Sequence, residues 1–318
     1  MENHTIKLNE NVICESVSFK NRFGITLSAD LYLPKNLDKS KKHRAIAVCG
    51  PFGAIKEQAS GVYANELAAR GFVALAFDPS FTGESGGEPR YVASPDINTE
   101  DFSAAVDFLA TREFVGADAV GIVGICGWGG LAINAAAIDT RIKATVAVTM
   151  YDITRFMANG YFDSEDSAEK RMEKRHALNA QRAKDFLSET FEIGGVVPDS
   201  VPEDAPQFVK DYYDYYKTPR GFHERSLNSK GGWCKTSTLS FLNAKLFAYA
   251  GEIENAVLIV HGEKAHSRYF GETAFKMLKG DNKELLIVPD TNHVDLYDKA
   301  EKIPFEKIER FFNANLEL

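Results

Sequence analysis

Residues 124–130 read GICGWGG. Just upstream, residues 119–126 (AVGIVGIC) make an apolar run rich in β-branched side chains. Just downstream, residues 129–138 (GGLAINAAAI) carry the alanine and leucine of a helix. Cys126 therefore stands where a buried strand turns into a helix, with Gly124 on one side and Gly127, Gly129 and Gly130 on the other. Three readings fit such a turn: a nucleophile on a tight bend, a glycine loop facing a phosphate, or a small buried side chain.

Working outward, residues 12–20 (VICESVSFK) and 26–34 (TLSADLYLP) alternate and read as an antiparallel pair. The pattern then changes to strand, helix, strand. Residues 44–50 (RAIAVCG) form an apolar run suited to burial on both faces, and 60–71 (SGVYANELAARG) follow with helical spacing and a closing Gly71. Residues 72–79 (FVALAFDP) predict the next strand, and 98–113 (NTEDFSAAVDFLATRE) the next helix, with Thr99 as its N-cap. The unit recurs around Cys126 and ends in the strand IKATVAVTM (142–150). From about Asp152 to Gly251 the alternation stops, giving way to two polar helices and turn-rich stretches. It resumes with NAVLIVHG (255–262) and KELLIVPD (283–290). Repeated βα units imply a mostly parallel sheet with helices on both faces.

Bulk properties narrow the function classes. The chain has 318 residues, 44% hydrophobic and 26% charged, with a net charge of -8. That acidic balance argues against nucleic acid as the partner, because phosphate backbones are met by Lys and Arg clusters. No apolar run approaches the roughly 20 residues that span a bilayer, and the first residues, MENHTIKLNENVICE, lack a basic and an apolar signal region. A membrane partner is not expected, a homo-oligomer is open, and the cytoplasm is the expected compartment. The four cysteines, Cys14, Cys49, Cys126 and Cys234, are scattered without a CxxC pair, so neither a metal site nor a disulfide framework is expected.

A nucleophile at the Cys126 turn would gain three things. The bend pushes its side chain clear of the backbone, the N-terminus of the following helix favours a thiolate, and the Gly127 N–H faces a developing oxyanion. A dinucleotide loop fits less well, since the spacing is not G-x-G-x-x-G and the run follows the fifth strand. The glycine-flanked residue, the strand order, the insertion and the late His293 together resemble the α/β-hydrolase superfamily. A cysteine at this position is similar to the dienelactone-hydrolase-like branch. The resemblance covers about Val12 to Phe312. It implies an α/β-hydrolase fold: a mostly parallel eight-stranded sheet, helices on both faces, and a helical cap after the sixth strand. The core would comprise residues 1–151 and 252–318, and the cap 152–251. Trp128 breaks the usual elbow pattern, with the paired glycines one residue later.

The resemblance also implies partners for Cys126. His293, in IVPDTNHVDLYD (287–298), stands just after the last strand, where such folds carry the base. The acid usual in H-G-x-x-D is replaced by Ala265 in HGEKAHSR (261–268). Glu263 on the same loop is the first candidate to orient the imidazole, Asp152 the second, and Asp295 a third. The second oxyanion donor is expected from CGPFGAIKEQ (49–58), at the backbone N–H of Phe52 or Gly53, since Pro51 has none. Lys56 and Glu57 read as a solvated pair. Asp78, Gly83 and Ser85 read as structural. In the insertion, Tyr212, Tyr216 and Trp233, with Trp128 of the turn, are candidates to bind substrate. A stripe such as Phe208, Tyr212 and Tyr215 equally serves to glue a helix down.

The expected protein is thus a hydrolase that attacks an ester, thioester or lactone carbonyl through a cysteine acyl-enzyme and needs no cofactor. Three alternatives stay open: an acyltransferase on the same fold, a nucleotide-dependent oxidoreductase, and a catalytically lapsed hydrolase fold that binds a small ligand.

Overall fold

The structure, a computed structural model, describes residues 5–195 and 197–318. Eight strands form one sheet: β1 (Val12–Lys20), β2 (Thr26–Pro34), β3 (His43–Cys49), β4 (Val73–Phe77), β5 (Val115–Ile125), β6 (Ala144–Val148), β7 (Ala256–Gly262) and β8 (Lys283–Val288). Their spatial order is β1-β2-β4-β3-β5-β6-β7-β8. β2 pairs antiparallel with β1 and β4, and all the remaining pairs are parallel. This is the α/β-hydrolase architecture, and it follows from the sequence pattern. β4, β6 and β7 are buried at every position, as expected of strands covered on both faces.

Two apolar layers cover the sheet. On one face lie α2 (Pro95–Ala110) and α3 (Gly127–Ile138), packed through Phe102, Leu109, Trp128 and Leu131 against Leu75 and Phe77. On the other lie α1 (Gly61–Ala69) and the C-terminal helix, which bring Tyr63, Leu67, Ile308 and Phe312 against Ile46, Val123 and Leu258. α2 begins earlier than the sequence reading places it. Ser94 is its N-cap, accepting from the Ile97 N–H at 3.4 Å, and Pro95 takes the first helical position. Thr99 lies a turn inside, where its hydroxyl donates back to the Pro95 carbonyl at 2.6 Å.

Between β6 and β7 the chain runs through α4 (Ile153–Asn159), α5 (Ala168–Ser188), α6 (Gln207–Lys217) and α7 (Thr238–Leu242). A two-residue ribbon pairs Ile193–Gly194 with Trp233–Cys234. α5 is almost wholly solvated, with Asp185 its one buried residue. α6 by contrast buries Tyr215 and Tyr216. After β7 come α8 (Arg268–Met277), then β8, the single turn α9 (Asp295–Asp298) and α10 (Phe305–Asn315). Among the described residues no helix is long and apolar enough to cross a membrane.

The glycines around Cys126 are set by close packing between β5, α3 and β6. A Cβ on Gly124 would lie 2.7 Å from the Ala132 Cβ and closer still to the Trp128 carbonyl. One on Gly129 would meet the Met150 Cβ at 2.5 Å. Gly124→Ala is therefore expected to force β5 and α3 apart and destabilise the fold by about 3 kcal/mol. A chemical-denaturation midpoint unchanged from the parent would refute this.

Candidate active site

Cys126 ends the fifth strand with φ +60° and ψ -127°, a conformation that costs a non-glycine residue of order 1–3 kcal/mol. Neighbouring hydrogen bonds hold it there: its N–H donates to the Val148 carbonyl at 2.9 Å, and its carbonyl accepts from Gly129 and Tyr151. The bend leaves the side chain 8% exposed, at the floor of a cavity of about 420 Å³. The backbone N–H groups of Gly127 and Phe52 both interact with its sulfur, as do the hydroxyls of Tyr297 and Tyr212. Both groups belong to the set of candidate oxyanion donors read from the sequence, Gly127 with Phe52 or Gly53. Gly53 has another part, its carbonyl accepting from Ser226 Oγ at 3.0 Å.

The electrostatics differ from the expectation of a ready thiolate. Burial pushes the Cys126 thiol up, and this outweighs the four donors, of which Tyr297 is the largest. The helix N-terminus does not overcome desolvation here.

His293 lies in the turn between β8 and α9 and is 1% exposed. Its Nε2 is 2.9 Å from Tyr297 Oη. Its Nδ1 is 2.6 Å from Ser267 Oγ and 2.9 Å from Thr149 Oγ1. Burial holds its pKa well below the ordinary imidazole value, so the ring is neutral. The three carboxylates considered from the sequence are all engaged elsewhere. Glu263 is exposed and accepts from the Asp290 N–H at 3.0 Å. Asp152 caps α4, accepting from the N–H groups of Thr154 and Arg155 at 3.1 and 3.0 Å. Asp295 accepts from the Asn292 N–H and pairs with Lys299 at 2.6 Å. For Asp152 and Asp295 the physical reason is local, since each meets backbone donors of its own turn, whereas Glu263 accepts from the neighbouring loop after β8. Two hydroxyls occupy the place of the acid.

A second histidine, His266, joins the site without having been singled out. Its Nε2 is 2.5 Å from Tyr151 Oη, which is 3.0 Å from Tyr212 Oη, and its ring stacks on Phe208 at 4.4 Å. Burial lowers its pKa to about 3. His261 is fully buried and makes no hydrogen bond at either ring nitrogen, consistent with a strand-end packing residue.

The insertion supplies most of the cavity wall. α4 contributes Ile153, Phe156 and Met157, and α6 contributes Phe208, Tyr212 and Tyr216. Trp233 closes one side, stacked on Phe52 with ring centroids 4.3 Å apart. The α6 stripe thus does both jobs, because Tyr215 faces inward to pack on Tyr297 at 5.0 Å. Trp128 is not part of the wall. It is fully buried beneath the sheet, edge-on to Phe77 and Phe102. Among the described residues no Asp, Glu, Lys or Arg lines the cavity.

The loop that carries Phe52 is tied down from two directions. Asn228 Nδ2 donates to the Phe52 carbonyl at 2.8 Å, and Gln58 Nε2 donates to the Gly221 carbonyl at 2.5 Å. Lys56 and Glu57 are buried rather than solvated. Lys56 Nζ lies 2.6 Å from Glu57, 2.7 Å from Glu84 and 3.7 Å from Asp78, while Arg225 of the insertion pairs with Glu57 and Glu84. Asp78 also accepts from the N–H groups of Lys56 and Glu84, so its structural reading fits.

Residues 24–262 match the X-Pro dipeptidyl-peptidase (S15) family. This chain belongs to that family. Its S15 fold is close to the crystal structure of a hypothetical protein, PA2218 of Pseudomonas aeruginosa, with TM-score 0.95 and 52% identity over 98% of this chain and 97% of that one. The α/β-hydrolase GrgF from a Penicillium species shares the fold at TM-score 0.77 and 19% identity, covering 96% of this chain and 99% of that one. A shorter sequence likeness, 32% identity over 142 residues, joins this S15 chain to the thiohydrolase aneE of Aspergillus aculeatus. It spans 45% of this chain and 43% of that protein.

The raised thiol pKa has a direct readout. Alkylation of Cys126 by iodoacetamide should climb steadily as pH rises through 9, with no plateau between pH 6 and 8. A plateau in that neutral range, followed by peptide mapping, would mark a preformed thiolate and contradict the burial argument.

Proposed function

We propose that this chain is a hydrolase for neutral, largely apolar acyl groups carried as thioesters or esters, acting through an acyl-thioenzyme on Cys126. The observation that carries the reading is a thiol at a left-handed strand–helix turn, opening onto an uncharged aromatic cavity with two backbone N–H groups directed at it. Cys126 would attack the carbonyl carbon, and Gly127 and Phe52 would hold the oxyanion. His293 would serve as the base, with Ser267 and Thr149 fixing its ring in place of a carboxylate. Residues 1–151 and 252–318 would act as the catalytic body, and 152–251 as the cap that selects substrate. The cysteine distinguishes this chain within a family typically built on serine. It is also the feature shared with the dienelactone-hydrolase-like branch. All four cysteines are unpaired, which suits a reducing compartment.

The thioester preference rests on the likeness to a thiohydrolase and on chemistry. A thiol exchanges readily with an activated acyl group, whereas an amide demands strong protonation of its leaving nitrogen. The peptidase activity in the family's description is disfavoured by the cavity. An X-Pro substrate brings an N-terminal ammonium, and burying it without an anionic partner costs several kcal/mol.

A panel of neutral acyl thioesters, p-nitrophenyl esters and X-Pro anilides tests this. Thioesters and esters should turn over, with a covalent acyl mass on Cys126. Cys126→Ala should lower kcat/KM by about 10³-fold or more. Full turnover by Cys126→Ala would sink the reading. X-Pro anilides cleaved as fast as the best ester would replace it with the peptidase.

A further inference from the structure

His293 does not reach the cavity. The residues that line the cavity around Cys126 do not include it. Tyr297 does border the cavity, and its hydroxyl stands 2.9 Å from His293 Nε2 on the far side. The same hydroxyl interacts with the Cys126 thiol. Tyr297 thus stands between the cavity that Cys126 also lines and the imidazole behind it. We propose that Tyr297 is a catalytic residue, the proton carrier between Cys126 and His293. The proposal rests on Cys126 being the nucleophile.

The step balances without any added reagent. As the S–C bond to the acyl carbon forms, the thiol proton passes to Tyr297 Oη and the phenol's own proton passes to His293 Nε2. The carbonyl π electrons move onto the oxygen held by Gly127 and Phe52. When the tetrahedral adduct collapses, the bond to the leaving sulfur or oxygen breaks. That atom takes a proton from Tyr297, which regains one from His293. Deacylation repeats the exchange with water in place of the thiol. The phenol ends each step neutral, which matters because burial opposes a phenolate at this position.

Sequence geometry makes the arrangement possible. His293 and Tyr297 are four residues apart, on either side of the start of α9, so one helical turn sets both rings on the same face. Tyr215 packs edge-on against Tyr297 and fixes its ring. A competing arm runs from Cys126 through Tyr212 and Tyr151 to His266. Tyr212 Oη also lies 3.5 Å from His266 Nε2 directly, a longer step than the 2.9 Å between Tyr297 Oη and His293 Nε2. His293 has in addition Ser267 and Thr149 at Nδ1, whose hydroxyl oxygens can accept from the ring N–H while the imidazole carries the transferred proton.

The test is single-turnover acylation by a neutral thioester, with Tyr297→Phe beside Tyr212→Phe. Tyr297→Phe keeps the ring and its packing. It should slow acylation by about 10²-fold or more, leave KM within about twofold, and reduce the solvent isotope effect from a two-proton to a one-proton inventory. Replacing Tyr297 by difluorotyrosine, a more acidic phenol of nearly the same shape, should restore most of the rate and shift the isotope effect. That variant decides the matter if Tyr297→Phe fails to fold. Tyr297→Phe acylating at the parent rate or faster would overturn the relay. So would an isotope effect unmoved by difluorotyrosine, or loss of acylation in Tyr212→Phe alone. Acylation that persists in Cys126→Ala would overturn the nucleophile itself, a different result from a Cys126-dependent reaction indifferent to Tyr297.

Discussion

The left-handed backbone of Cys126 is the constraint on which the rest of the site depends. A side chain at φ +60° is tolerated only where surrounding contacts over-determine it. Here those contacts come from three places at once: β6 through Val148, α3 through Gly129, and the residue just before the insertion, Tyr151. The glycines let these backbones approach, and the approach in turn aims two amide groups at one sulfur. Strain at one residue and small side chains at its neighbours are two aspects of a single packing solution.

Burial then sets the chemistry. Removing water raises the thiol pKa and lowers that of the imidazole, so the resting pair is neutral on both sides. A carboxylate behind His293 would oppose this by favouring the imidazolium. Hydroxyls from Ser267 and Thr149 orient the ring with far less charge stabilisation. Under the proposed reading, such a site would stay quiet until a substrate supplied a developing negative charge for the backbone N–H groups to meet. The aromatic cavity complements that logic, since it excludes water and offers nothing to a charged substrate.

Much of the fold was legible in the sequence because it is written in periodicity. The buried runs of β3 to β7 and the break after Asp152 follow from burial pattern alone. The placing of Cys126 and His293 at strand ends was legible in the sequence, whereas the partners of the candidate carboxylates were not. A carboxylate's partner depends on which backbone donors its turn leaves open, as Asp152 and Asp295 illustrate. Ser267 stands two residues beyond the expected acid position, and only the N-terminal geometry of α8 turns its hydroxyl onto His293. Tyr297 had a signal, the four-residue spacing from His293. The charge pair Lys56–Glu57 gave none, because its burial is created by Arg225, far away in sequence. Trp128, a candidate to bind substrate from its place beside Cys126, packs under the sheet instead.

The ties between the Phe52 loop and residues 221–228 have a consequence for how such proteins diversify. Asn228, Ser226, Arg225 and the Gly221 carbonyl belong to the insertion, yet they brace the loop that would hold the oxyanion. The roof is therefore not a separable module. Grafting a relative's whole insertion onto this core would change the cavity wall and disturb the Phe52 loop together. Interchange confined to α4, α5 and the first turns of α6 would leave that bracing untouched. Variation in substrate choice within this architecture has its freest ground there, with the segment from Gly221 to Asn228 inherited together with the core.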